Sequence, residues 1–117
     1  MATLPGSVQA KKSAAYFPAG ILVGKGDRIK RIEYATVNIN PDSLNATTRG
    51  AYTFTITGAA TGDFLVMNPP AALEDDLIFA GAAVTATDTG TVYIYNPTAG
   101  AINGADLAWQ YLWIDLT

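Results

Sequence analysis

Two stretches of this chain end in the same way. Gly62-Asp63-Phe64-Leu65-Val66-Met67-Asn68-Pro69-Pro70 and, further on, Thr91-Val92-Tyr93-Ile94-Tyr95-Asn96-Pro97-Thr98 are both short runs of apolar and aromatic residues that follow a glycine turn and close on Asn-Pro. Runs of this length and composition, bounded by turn residues, form strands rather than helices. Proline cannot donate to a sheet ladder, so each strand has to stop where its Asn-Pro begins. The remainder of the chain lays out as further strands around these two.

Ile21-Leu22-Val23 predicts a short strand, with a turn at Gly24-Lys25-Gly26-Asp27; that turn lacks the spacing of a phosphate-binding loop, and no helix is expected after it. From Arg31 to Ile39 the pattern predicts a strand with Ala35, Val37 and Ile39 on one face. Ile32 and Tyr34 fall on the other parity, which predicts a bulge or a change of face near Tyr34-Ala35. Asn40-Pro41-Asp42-Ser43 is a turn, and Tyr52, Phe54 and Ile56 then alternate with Thr53, Thr55 and Thr57 as in a half-buried strand. After Pro70, residues Ala71 to Asp76 read as a loop or one helical turn. A strand interrupted at Gly81 runs on to Ala86, followed by a hairpin turn at Thr87-Asp88-Thr89-Gly90. Asn103-Gly104 predicts a second hairpin, leading into the last strand, Leu107 to Leu116. There Trp109, Tyr111 and Trp113 share one face, with Leu112 and Ile114 on the other. A strand apolar on both faces lies between two layers or turns one face to another subunit.

Strands at this spacing, joined by Gly, Asn and Asp turns, predict an all-β chain: a single antiparallel β-sandwich, jelly-roll-like, over residues 21–117. Residues 1–20 lack periodicity and read as an extended N-terminal arm, with Tyr16-Phe17-Pro18 as its aromatic anchor.

At 117 residues the chain is one domain. Half of its residues are hydrophobic and 15% are charged, against roughly 25% charged in an average soluble domain. So little charge on so much apolar surface predicts cover by a partner, with homo-oligomerisation the simplest form; the competing reading is an alanine-rich composition that inflates the count. Charge is unevenly placed. Residues 1–31 hold six Lys/Arg against one acid, net +5, and residues 32–117 hold one against nine, net −8. Lys11, Lys12, Tyr16, Phe17, Lys25, Arg28, Lys30 and Arg31 are therefore the candidate contact residues of an interaction arm. The cations are too dispersed for a nucleic-acid stripe, and an acidic protein surface suits them equally well. No apolar run is long enough to span a bilayer and no secretory signal is visible, so the expectation is a soluble protein made in the cytoplasm, with no membrane and no nucleic acid among its partners.

The chain has no cysteine and no histidine, which removes Ser-His-Asp and Cys-His catalysis and thiolate or imidazole metal sites. Asp27, Asp42, Asp63, Asp88 and Asp106 all fall at turns, where aspartate caps backbone N–H groups. Glu74-Asp75-Asp76 is the one acidic cluster; it could offer oxygens to calcium, but without a second cluster it reads as a solvated loop. The expectation is no enzyme, no cofactor and no catalytic or metal residues. A carbohydrate platform of Tyr93, Tyr95, Trp109, Tyr111 and Trp113 is the binding alternative, although in so small a sandwich such residues are more often core or interface.

About two-thirds of the chain also resembles a known family. Thr36-Val37-Asn38-Ile39-Asn40-Pro41-Asp42-Ser43-Leu44, the Thr-rich strand Tyr52 to Thr57, Gly62-Asp63 through Pro69-Pro70 to Leu73, and Thr87 to Trp109 follow one another as in small tailed-bacteriophage virion proteins. One departure is Leu65, where the pattern more often has valine. The resemblance implies a capsid decoration, or cement, protein. Such a protein sits on the outer surface of the phage head, binds the major capsid protein and its own copies, and stabilises the expanded shell. Under that reading Trp109, Tyr111 and Trp113 are the candidate subunit interface, a trimer is favoured slightly over a dimer, and the protein belongs to the virion after synthesis in the host bacterium. The alternative is a fibre- or tail-associated glycan-binding module.

Overall fold

The computed structural model of the chain describes residues 21–22 and 28–116. These form nine strands: β1 (Ile21–Leu22), β2 (Arg28–Ile39), β3 (Ser43–Leu44), β4 (Thr48–Thr55), β5 (Phe64–Asn68), β6 (Ile78–Ala86), β7 (Thr89–Asn96), β8 (Ile102–Asn103) and β9 (Leu107–Leu116). No helix occurs among the described residues, and so none is long and apolar enough to cross a membrane.

The strands make an antiparallel sandwich. One layer is the sheet β1-β2-β9-β5 and the other is β4-β7-β6. The connections β2–β4 and β7–β9 both pass between the layers, and each carries one strand of the small β3-β8 ladder that ties them together. Between the layers β9 supplies Trp109, Tyr111 and Trp113, with Ile39 from β2 and Met67 from β5. Phe54, Val84, Val92 and Ile94 face them from the second sheet. Phe54 lies against Tyr111 with ring centroids 5.3 Å apart, and Phe79 meets Trp109 edge-on at 5.7 Å. Tilted and edge-on pairs of this kind add to the area the rings bury, so these contacts help fix how the two layers sit on each other.

The Asn-Pro punctuation has a structural cause. Asn96 is fully buried, and its Nδ2 donates to the carbonyls of Leu44 (2.9 Å) and Gly100 (2.9 Å), and to that of Asn45 (3.2 Å). Its Oδ1 accepts from Thr98 N and Thr98 Oγ1. One side chain thus ends β7, shapes the following turn and fastens the segment at β3. A buried amide is stable only when its donors and acceptors are met, as they are here.

Two details differ from the sequence expectation. The irregularity in β2 falls between Ile29 and Arg31, where the register against β9 shifts, and not at Tyr34-Ala35. Ile32 and Tyr34 need no bulge, because they point away from the core while Ala35, Val37 and Ile39 point in. Asn103-Gly104 does not make a hairpin: β8 pairs with β3, and β9 pairs with β2 and β5. Gly104 N donates to Asp42 O (2.9 Å), and a Cβ on Gly104 would come within 2.7 Å of Pro41 Cγ. Glycine serves there for close approach, not for turn geometry.

Candidate interaction face

Side chains alternate across a strand, so the sheet β1-β2-β9-β5 has an inner and an outer set. The pairing aligns the outer set in rows. Ile29 lies beside Leu116; Ile32, Ile114 and Phe64 form the next row; Tyr34, Leu112 and Val66 form the one after. Then the character changes to Thr36, Gln110 and Asn68, with Asn68 Nδ2 donating to Gln110 Oε1 at 3.0 Å. Tyr34 is 64% exposed, Phe64 60%, and Ile32 and Val66 51% each, while Leu112 and Ile114 between them are half-buried. With about 200 Å² for a side chain of this size, the four exposed residues alone leave roughly 450 Å² open. Such a contiguous apolar area lies within the roughly 300–600 Å² of the largest patch on a typical monomer, and patches of that size are often functional.

No charged side chain belongs to these rows. Arg31, paired with Asp115, takes the inner parity and stacks on Trp113, with its guanidinium 4.5 Å from the ring centroid and 3.7 Å from the Asp115 carboxylate. Glu33 shares that parity. Arg28 and Lys30 are exposed at the start of β2, beside the apolar rows. A groove lined by Tyr34, Val66, Leu112, Asn68 and Gln110 runs from the apolar rows to the polar one, and a second, past Thr36, Ala108 and Pro69-Pro70, continues it.

Asp63, just before β5, anchors the other end of this face. Its Oδ2 accepts from Ala60 N and Trp113 Nε1, both at 3.0 Å, and its Oδ1 accepts from Leu116 N at 3.1 Å. Partial burial opposes its charge, but these hydrogen bonds and the nearby Lys30 ammonium together prevail and hold the carboxyl below its usual value. Burial, with the Glu33 carboxylate adding to it, raises the Tyr111 phenol, and burial with Asp42 raises that of Tyr52.

The sequence candidates fall differently from expectation. Trp109 and Trp113 are fully buried and Tyr111 is 7% exposed, all three between the layers of one chain. A subunit contact through them is not available in this fold; the open side of β9 is the one that carries Leu112 and Ile114. The five-residue aromatic platform is divided, because Tyr93 and Tyr95 sit on the outer side of the second sheet and the other three lie inside. Of the candidate arm, Lys11, Lys12, Tyr16, Phe17 and Lys25 lie outside the described residues, and Arg28, Lys30 and Arg31 belong to β2. Glu74 Oε1 accepts from Ala105 N at 2.8 Å, and no group of three acidic residues placed to hold a metal ion occurs among the described residues.

Residue type alone does not mark Ile32, Tyr34, Phe64 and Val66 as one exposed apolar surface. Their signal was parity: large apolar residues at both parities of β2, β5 and β9 mean that a sheet with one core has a second face to cover. Comparison with protein-family models, with curated proteins and with solved structures finds no match to this chain.

Proposed function

We propose that the chain is a structural virion protein, a capsid decoration or cement protein that binds the outer surface of a phage head and stabilises the expanded shell. The observation that carries this reading is the uncharged apolar face of the sheet β1-β2-β9-β5, a surface suited to assembly rather than chemistry. The order of the motifs from Thr36 to Trp109, which resembles that of phage decoration proteins, supplies the partners: the major capsid protein and further copies of this chain. Arg28 and Lys30, exposed beside the face, suit an acidic protein surface. A subunit that binds the expanded shell and not its precursor stabilises the former by mass action.

The test is sedimentation of the purified protein with expanded, undecorated heads and with unexpanded procapsids. Saturable binding to the expanded heads, together with a higher temperature of shell disruption, is the expected result. Absence from both pellets overturns the proposal.

A further inference from the structure

Resting on the reading that this chain works by assembly, we infer that the outer face of the sheet β1-β2-β9-β5 is covered by the same face of a second copy, in a two-fold dimer. Three observations select that occupant.

The first is charge. The chain is net −3, and residues 28–116 hold four Lys/Arg against nine Asp/Glu, so a contact between copies costs least where it buries no charge. The rows Ile29/Leu116, Ile32/Ile114/Phe64 and Tyr34/Leu112/Val66 contain no charge, and there two copies meet without burying a like-charged pair.

The second is shape. A two-fold axis along β9 lays β2 of one copy over β5 of the other. Tyr34 then faces Val66, Ile32 faces Phe64, and Leu112 and Ile114 face their own counterparts, by the register that places them in rows. Tyr34, the largest side chain of the face, meets Val66, the smallest, and the side chains of facing sheets interdigitate.

The third is area. Adding the half-buried Ile29, Leu112, Ile114 and Leu116 to the four exposed residues brings the face to roughly 600 Å², and two copies together hide about 1,200 Å², where specific interfaces begin. Isologous pairing gives a dimer, where a trimer was favoured slightly over a dimer from the sequence.

The chain has no cysteine, and this makes the test clean. Leu112→Cys should form a disulfide-linked dimer under mild oxidation, because Leu112 faces its own counterpart. Thr53→Cys, exposed on the outer side of the second sheet, should stay monomeric on a non-reducing gel. Sedimentation velocity of the unaltered chain should show a dimer. Leu112→Lys should weaken it by roughly a hundredfold, since each interface would then bury unpaired charge. Val66→Lys is the second variant should Leu112→Lys misfold, with circular dichroism to confirm the β fold in either. An unaltered chain that remains monomeric at millimolar concentration overturns the inference, whether a capsid surface or the chain's own residues 1–20 take the face. If that monomer still binds expanded heads, the pairing fails and the decoration reading stands. A dimer that ignores heads keeps the pairing and removes the decoration reading.

Discussion

The two outer faces of this sandwich are built by the same alternation and end differently. On the sheet β4-β7-β6, the outward positions hold Thr53 and Thr55 on β4, and Tyr93 on β7 lies under the Arg49 guanidinium at 4.3 Å. Thr85 and Thr91 share a hydrogen bond of 2.7 Å across β6 and β7. Ile78 of β6, beside Tyr95, is the one large apolar side chain exposed there, at 49%. On the sheet β1-β2-β9-β5, Ile32, Tyr34, Phe64 and Val66 form a contiguous group with no polar or cationic cover among the described residues. The difference shows that the same alternation leaves one sheet face mostly polar and the other mostly apolar. Which course a face takes is decided residue by residue at the outward positions.

The largest expected effect lies on the inner side of the sheet β1-β2-β9-β5. Trp113→Ala removes a fully buried ring that donates to Asp63 and supports Arg31, and should cost about 3–5 kcal/mol in urea unfolding. Leu112→Ala, its neighbour on the outer side, should leave the unfolding free energy of a dilute monomer within about 1 kcal/mol. If the two cost the same, the division between inner and outer sides of β9 is wrong.

Next is the carboxylate beneath that face. Because Asp63 is held below its ordinary value of 3.8 in the folded chain, the unfolded chain binds more protons in the window between the two values. Its stabilisation is therefore complete above the unfolded value and fades as pH falls through the folded one. Asp63→Asn should lower the urea midpoint at pH 7, and the gap to the unaltered chain should narrow below pH 4. A gap that is constant from pH 7 to pH 3 would remove the ionised carboxylate from the account.

The smallest effect belongs to the covered face. The Arg49–Tyr93 stack is exposed, and Arg49→Ala should change stability by about 0.5–1 kcal/mol, with no change in association. A variant at Arg49 that altered oligomeric state as strongly as one at Leu112 would erase the contrast between the faces.

The sandwich itself was legible because Gly turns and Asn-Pro stops mark strand ends, and because Tyr52, Phe54 and Ile56 against Thr53 and Thr55 announce which way a strand faces. The position of the exposed apolar face was only half legible. Leu112 and Ile114 opposite Trp109, Tyr111 and Trp113 show that β9 has two apolar faces, but residue type alone points to the aromatic one as the interface. Both tryptophans are inside because the core between two such thin layers needs large side chains to fill it, and Trp113 finds in Asp63 a partner fifty positions away. The register that brings Phe64 beside Ile114 and Ile32 joins residues distant in sequence, and no local pattern encodes it. Asn103-Gly104 misleads for a related reason: a dipeptide common in hairpins is here selected by the proximity of Pro41.

Hydroxyl-radical footprinting at increasing protein concentration sets the two faces against each other in one experiment. Oxidation of Tyr34 and Phe64 should fall steeply as the protein is concentrated, while that of Tyr93 and Tyr95 stays level. Tyr34 and Phe64 that remain as reactive at millimolar as at micromolar concentration would contradict the claim that the bare face is where this chain meets its copy.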